Sequence, residues 1–174
     1  MRLVPGRRAS RVPLPDEVKA ALGLVPGERV LAVGTDPEGR YLVATDRDLL
    51  LQRRPPEYHR IGWETVDKAT FDDGTLRLLG RDAAGDTFRL RIPLEQPGEL
   101  PGVVRDRVTS SIVLSQHVVL QGEDGVRVTA RRRPGEPDLR WGYRLDDGLV
   151  DAPPMRSLAE QALLAVRRDS GLDA

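Results

Sequence analysis

Two arginine-rich clusters have the residue types and spacings that most directly suggest a binding site. The candidate binding residues are Arg53, Arg54, His59 and Arg60 in the first cluster and Arg131, Arg132 and Arg133 in the second. Guanidinium groups bind the paired oxygens of phosphates and carboxylates, so either cluster can accept an anion such as a lipid head group or a nucleic-acid phosphate. Acidic neighbours, Glu57 near the first cluster and Glu136 near the second, favour the alternative of a charged surface that is solvated and neutralised locally.

Catalytic motifs are largely missing from the sequence. His59 and His117 lie far apart, each in or beside a predicted strand, where a lone histidine is more often structural than catalytic or metal-binding. Paired carboxylates can act as acid and base, but in turns aspartate usually bonds the local backbone. The pairs, all in predicted turns, are Asp46/Asp48, Asp72/Asp73 and Asp146/Asp147. With no serine-nucleophile, phosphate-loop or zinc-protease motif, the chain is predicted to be no enzyme and to use no cofactor and no metal.

Composition and charge narrow the class of protein further. The 174 residues carry 27 basic and 27 acidic side chains, and this zero net charge argues against long-range attraction to nucleic acid or an anionic membrane. The two Trp, three Tyr and two Phe are too few to stack single-stranded bases. The sequence has no cysteine and no run near the roughly 20 apolar residues that span a bilayer. We expect a cytoplasmic protein without integral membrane association.

Turn signals and side-chain alternation predict a mainly β structure. A short helix is expected over Pro15–Leu22, with acidic residues in its first turn and Gly23 as its cap. From residue 28 to 93, short apolar or alternating runs are separated by turn signals, a pattern typical of an antiparallel sandwich or barrel. The seven predicted strands are Glu28–Val33, Tyr41–Thr45, Asp48–Arg53, Tyr58–Trp63, Val66–Phe71, Thr75–Leu79 and Asp86–Ile92.

One hairpin of this region can be given a register from the sequence. An Asp-Gly pair at positions 73 and 74 favours a two-residue loop, which places Phe71 opposite Leu76 and Ala69 opposite Leu78. Apolar side chains then meet apolar side chains, and a slip by one residue would mismatch both faces. The spacing of apolar residues after the last strand predicts a helix over Glu99–Thr109.

Two stretches resemble the bacterial versions of the PH-like domain. Tyr41–Leu51, with its tight Thr-Asp-Arg turn, resembles the second and third strands of that fold, and Arg60–Val66 resembles the segment that leads into its fifth strand. The resemblance covers residues 28–109 and implies a seven-stranded sandwich or barrel capped by a helix, in a binding or scaffold protein. The lipid-binding type has a basic motif in its first turn. Here Gly34–Arg40 holds two acids and one arginine, which argues against phosphoinositide binding.

The C-terminal region is predicted to be a small unit packed on the PH-like domain. Strand patterns in residues 112–120 and 126–131, and alternation around Trp141, indicate a β-hairpin or three strands followed by a helix, a ββα or βββα order. Ser157 to Glu160 has the form of a capping box, with Leu158 on the buried side of the helix it opens. The predicted organisation is a 1–27 arm with a short helix, a 28–109 PH-like domain and a 110–174 unit, an α+β fold that is mainly β. The composition, together with the resemblance, suggests an uncharacterised protein family of high-GC bacteria.

These observations favour a non-catalytic binding or scaffold protein. We expect an unidentified protein partner to bind an edge strand or a groove of the PH-like sheet, because strand addition is a common way for such sheets to bind. The alternative is recognition of an anionic ligand by the arginine clusters, and an enzyme is a third hypothesis. Self-association through strand edges or through the C-terminal helix is left open by the sequence.

Overall fold

A computed structural model describes residues 12–172, which divide between Thr109 and Ser110 into two units. Residues 1–11 of the predicted arm lie outside the described residues. All strand pairs are antiparallel, in one sheet of four strands and two sheets of three. The prediction of a mainly antiparallel β protein is confirmed.

The first unit contains two sheets and two helices. Its elements are α1 (Asp16–Ala21), β1 (Val30–Thr35), β2 (Tyr41–Thr45), β3 (Asp48–Arg54), β4 (Glu57–Gly62), a 3₁₀ turn (Trp63–Thr65), β5 (Val66–Asp72), β6 (Thr75–Arg81), β7 (Thr87–Pro93) and α2 (Leu100–Ser110). Strands β1 to β4 pair in sequence order in the first sheet, and β5 to β7 pair in sequence order in the second. The strand bounds lie within two residues of those predicted from the sequence.

The hairpin between β5 and β6 has the predicted register. Phe71 lies opposite Leu76 and Ala69 lies opposite Leu78. The φ angles of Asp73 and Gly74, 49° and 68°, fall in the left-handed region that a type I′ turn requires at both central positions. Turn chemistry and side-chain alternation therefore determine this part of the fold locally.

Two apolar layers hold the first unit together. One contains the fully buried Trp63 and receives Leu100, Val104 and Val108 from the buried side of α2. The other covers the opposite face of the four-stranded sheet, where Leu22, just after α1, packs with Val43 and other strand residues. Burial of both faces explains why β2 and β3 read as nearly continuous apolar runs.

The second unit has the βββα order that the sequence left as one of two alternatives. Its elements are β8 (Ile112–Gln121), β9 (Asp124–Arg132), β10 (Leu139–Leu145) and α3 (Pro153–Ser170), with β9 in the middle of the sheet. The predicted capping box is wrong, because α3 begins at Pro153 and Ser157 lies inside it. Proline is favoured in the first turn of a helix, which explains the earlier start. The prediction that Leu158 lies on the buried side is also wrong, because Ala159 is buried against the sheet and Leu158 is exposed.

Candidate binding site at the edge of the first sheet

Strand β1 forms one edge of the four-stranded sheet, and within residues 12–172 its outer side is paired only near its end. At its end, Thr35 forms a bridge with Gln96: the Thr35 N–H donates to the Gln96 carbonyl at 3.0 Å, and the Gln96 N–H donates to the Thr35 carbonyl at 3.2 Å. Outward-facing residues alternate along an antiparallel strand, so the N–H and C=O of Val33 point to the same side as those of Thr35. Within residues 12–172, no segment pairs with Val33 on that side.

A groove of about 490 Å³ runs beside this open edge. Its β1 wall is apolar and its other wall combines apolar and charged side chains. The lining residues are Val30, Leu31, Ala32 and Val33 of β1, Val12, Pro13 and Leu14 before α1, Asp16 and Lys19 of α1, and Glu99 before α2. A groove of this size, apolar with a few charged groups, has the character of a ligand or peptide site.

Arg60 holds the α1 side of the groove in place. Its Nη2 atom donates to the carbonyls of Leu22 and Gly23, at 3.3 and 2.9 Å, directly after α1. Its Nη1 atom contacts Oε1 of Glu28 at 3.0 Å and Oδ2 of Asp48 at 2.7 Å. Both carboxylates are buried, so one guanidinium ties the end of α1 to β3 and β4 and neutralises charge inside the unit.

The same network fixes the protonation state of Glu28. Burial alone would raise the pKa of this carboxyl, but hydrogen bonds from the Arg60 guanidinium, the Val25 N–H and the Thr45 hydroxyl outweigh it and lower the pKa below its usual value. The Thr45 hydroxyl donates to Oε1 of Glu28 at 2.7 Å, and the Thr45 carbonyl accepts from Nε1 of Trp63 at 3.1 Å. The ionised network is thereby connected to the apolar core.

The first predicted arginine cluster is only partly brought together. Arg53 and Arg54 are exposed at the end of β3, and His59 on β4 lies opposite Leu51. Arg60 is instead held in the buried network with the two carboxylates. Alternation along β4 sends His59 and Arg60 to opposite faces of the sheet, which the sequence-based grouping did not take into account.

Arg53 and His59 do influence each other electrostatically. Although His59 is exposed, the packing around its ring and then the positive charge of Arg53 lower its pKa. We expect Arg53→Gln to raise the pKa of His59, because it removes the repulsion of the imidazolium. An NMR pH titration of the His59 ring would measure this, with Arg54→Gln as the control that leaves the pKa nearly unchanged. An equal rise in both variants would contradict the pairing of Arg53 with His59.

The second predicted cluster is not gathered at one point. Arg131 is buried and its Nη1 atom donates to Oγ of Ser111 at 2.8 Å, whereas Arg132 is exposed and Nε of Arg133 lies 3.4 Å from Oε1 of Glu136. Arg131 and Arg132 point to opposite faces of β9, as successive strand residues must. Anion binding by this cluster stays a prediction.

Sequence reasoning missed two features of the candidate site. The sequence predicted that a sheet edge or groove binds a partner, but no pattern in the sequence singled out β1 among the edges. It also did not connect Glu28 with Arg60, which lie 32 residues apart. The only local signal was the polar character of Glu28 and Asp48 at the starts of otherwise apolar runs.

Comparisons with known proteins do not assign the chain to a family. No protein-family model and no curated protein matches it. Across residues 12–172, no helix is both long enough and apolar enough to cross a membrane. In the same described part of the chain, no three histidine, aspartate or glutamate side chains gather into a group that could hold a metal ion.

Proposed function

We propose that this protein is a non-catalytic binding or scaffold module that adds an extended segment of a partner protein to the outer edge of β1. The observation that carries the proposal is the bridge between Thr35 and Gln96. There the chain itself forms one antiparallel residue pair with this edge. The next outward-facing residue, Val33, offers its N–H and C=O to the groove without such a partner among residues 12–172. A partner strand would continue the ladder from the point where the chain leaves it.

The order of elements supports a PH-like fold for residues 28–109. Four strands in one sheet, three in the next and a closing helix follow one another in the chain, as that fold requires. PH-like domains act in binding and scaffolding. Because one fold can host unrelated functions, the proposed function rests on the site and not on the fold. The groove beside β1 is that site.

The groove defines the chemistry of the segment that would fit it. Main-chain hydrogen bonds to Val33 would supply affinity, and alternate side chains of the partner would enter the apolar wall formed with Leu31 and Leu14. The bulge between Val30 and Ala32 bends the strand, so the added ladder is short. Charges of both signs, Asp16 and Lys19, face the groove and favour flanking polar residues over a strongly acidic or basic partner.

Selecting, from a random display library, the peptides that bind the full chain would test the proposal. We expect selection of extended sequences with apolar residues at alternate positions. Leu31→Lys places a charge in the groove and should weaken their binding at least tenfold, by about 1.4 kcal/mol or more. Val25→Lys is the matched control, since Val25 is an exposed apolar residue of the same unit outside the groove lining.

Two results would contradict a binding edge at β1. One is a selection that enriches no sequence over an unrelated β protein of similar size. The other is a selected peptide that binds Leu31→Lys as tightly as the unchanged chain. Circular dichroism of both lysine variants would establish that they are folded, so that lost binding reports on the groove.

A further inference from the structure

Strand β8 is a long edge strand without the charges that usually protect such edges. It spans ten residues, Ile112–Gln121, and contains no Asp, Glu, Lys or Arg. Exposed apolar side chains lie along it, with Val119 exposed to 57% and Ile112 and Val113 to more than a third. Native proteins commonly guard edge strands with charged residues, and β10, at the other edge of this sheet, carries two arginines. The contrast within one sheet marks β8 as a pairing surface.

The hydrogen bonds of Gly125 show which backbone groups of β8 face outward. The Gly125 N–H donates to Oδ2 of Asp146 at 2.8 Å, and its carbonyl accepts from the Asp146 N–H at 3.0 Å. Gly125 therefore faces away from β8, and Val119, which lies opposite it, has its own N–H and C=O on the free side. Because outward-facing residues alternate along a strand, the N–H and C=O groups of His117 and Ser115 lie on the same side. No segment within residues 12–172 pairs with these three residues on that side.

The apolar face of the unit is incompletely covered at β8. Val126 and Ala130 of β9 are fully buried, whereas their β8 neighbours Val118 and Leu114 are only partly buried. Helix α3 thus shields the middle of the sheet better than this edge. A further strand beside β8 would cover the side chains that the helix leaves in contact with water, which is a favourable burial of apolar surface.

We propose that β8 pairs antiparallel with β8 of a second copy of this chain, centred on His117. In this register all three outward-facing residues find partners: Ser115 lies opposite Val119 of the second copy, and the two His117 residues face each other. About six main-chain hydrogen bonds join the strands. Leu114 then lies opposite Leu120 of the second copy on the helix-covered face, and the two three-stranded sheets become one sheet of six.

Charge selects a second copy over a different partner. A strand without ionic side chains offers no counter-charge to an acidic or basic segment, whereas an identical strand brings apolar and neutral polar groups to meet its own. The only titratable side chain of β8, His117, is already bonded through Nε2 to Oδ2 of Asp146 at 2.7 Å. The His117 ring therefore has a hydrogen-bond partner within its own copy.

Sedimentation of the full chain over a range of concentrations tests this dimer. We expect a dimer that dissociates on dilution, and a dissociation constant at least tenfold higher for Val119→Lys, which places a charge in the pairing edge. Val150→Lys is the matched control, because Val150 is exposed to 78% and lies outside β8. A chain that is monomeric at high micromolar concentration, or equal weakening by both substitutions, would overturn the proposal.

The absence of cysteine from the sequence allows a second test of the register. His117→Cys introduces the only thiol of the chain, and the proposed pairing brings two copies of it within disulfide range. Mild oxidation should cross-link this variant far more than Val150→Cys, with circular dichroism showing both to be folded. No excess of cross-linking over Val150→Cys would overturn the pairing. Leu31→Lys should remain dimeric, which separates this proposal from the β1 groove.

Discussion

Replacing Arg60 by methionine is expected to lower the free energy of unfolding of the first unit by about 3–5 kcal/mol. Methionine retains much of the packing of the arginine stem but removes the charge that two buried carboxylates share, from Glu28 and Asp48. It also removes the hydrogen bonds to the carbonyls of Leu22 and Gly23. The loss is large because both acids stay buried after losing the guanidinium that they share.

Denaturant unfolding followed by Trp63 fluorescence would measure this loss. Trp63 lies in the first unit and Trp141 in the second, so a Trp141→Phe background restricts the signal to the unit of interest. Arg29→Met is the matched control, because Arg29 is largely exposed in its ion pair with Asp46 and its replacement should cost less than about 1 kcal/mol. Equal losses in the two variants would contradict the structural role assigned to Arg60.

The pH dependence of the Arg60→Met deficit provides an independent test. The pKa of Glu28 in the folded protein lies below its ordinary value of 4.5, so its contribution to stability is full above that pH and is lost as the pH falls through the lowered pKa. Without Arg60, a buried Glu28 favours its protonated form instead. The deficit should therefore be greatest near neutral pH and shrink on acidification, and a deficit that grows toward acid would contradict this assignment.

The local parts of the fold were predictable because they depend on neighbouring residues. The Asp-Gly turn and the alternation around it fix the register of Phe71 with Leu76, and apolar spacing fixes α2 to within one residue. The start of α3 was predicted less well, since the capping pattern at Ser157 competed with Pro153, and proline in the first turn prevailed. When two patterns predict different starts for one helix, both can be seen in the sequence, and local interactions decide between them.

The candidate site depends on residues that no local pattern connects. At the end of β1, Gln96 meets Thr35 from a segment some sixty residues away, and among residues 12–172 no segment pairs with Val33, which lines the groove. Arg60 was grouped with Arg53 because they are close in sequence, yet the side chain of Arg60 is held by Glu28, Asp48 and the end of α1. Charge type was visible in the sequence, but the partner of each charge was not.

Replacing Trp63 by alanine is expected to cost the first unit about 3–5 kcal/mol, because it leaves a large cavity in a core where this side chain is fully buried. It also removes the donor to the Thr45 carbonyl. Far-UV circular dichroism during denaturation would measure the loss. Trp141→Ala is the control in the other unit and should leave the transition of the first unit unchanged. A Trp63→Ala loss below about 1 kcal/mol would contradict the packing described here.

A double-mutant cycle would show whether the ionic network and the apolar core act as one structure. Thr45 contacts both, since its carbonyl accepts from Trp63 and its hydroxyl donates to Glu28 beside Arg60. Residues that share a network usually show coupling of about 0.5–3 kcal/mol. The losses from Trp63→Ala and Arg60→Met should therefore not add, because Thr45 bonds both Trp63 and Glu28, the carboxylate that Arg60 holds. Additive losses would mean that Arg60 holds the groove wall independently of the core beneath it.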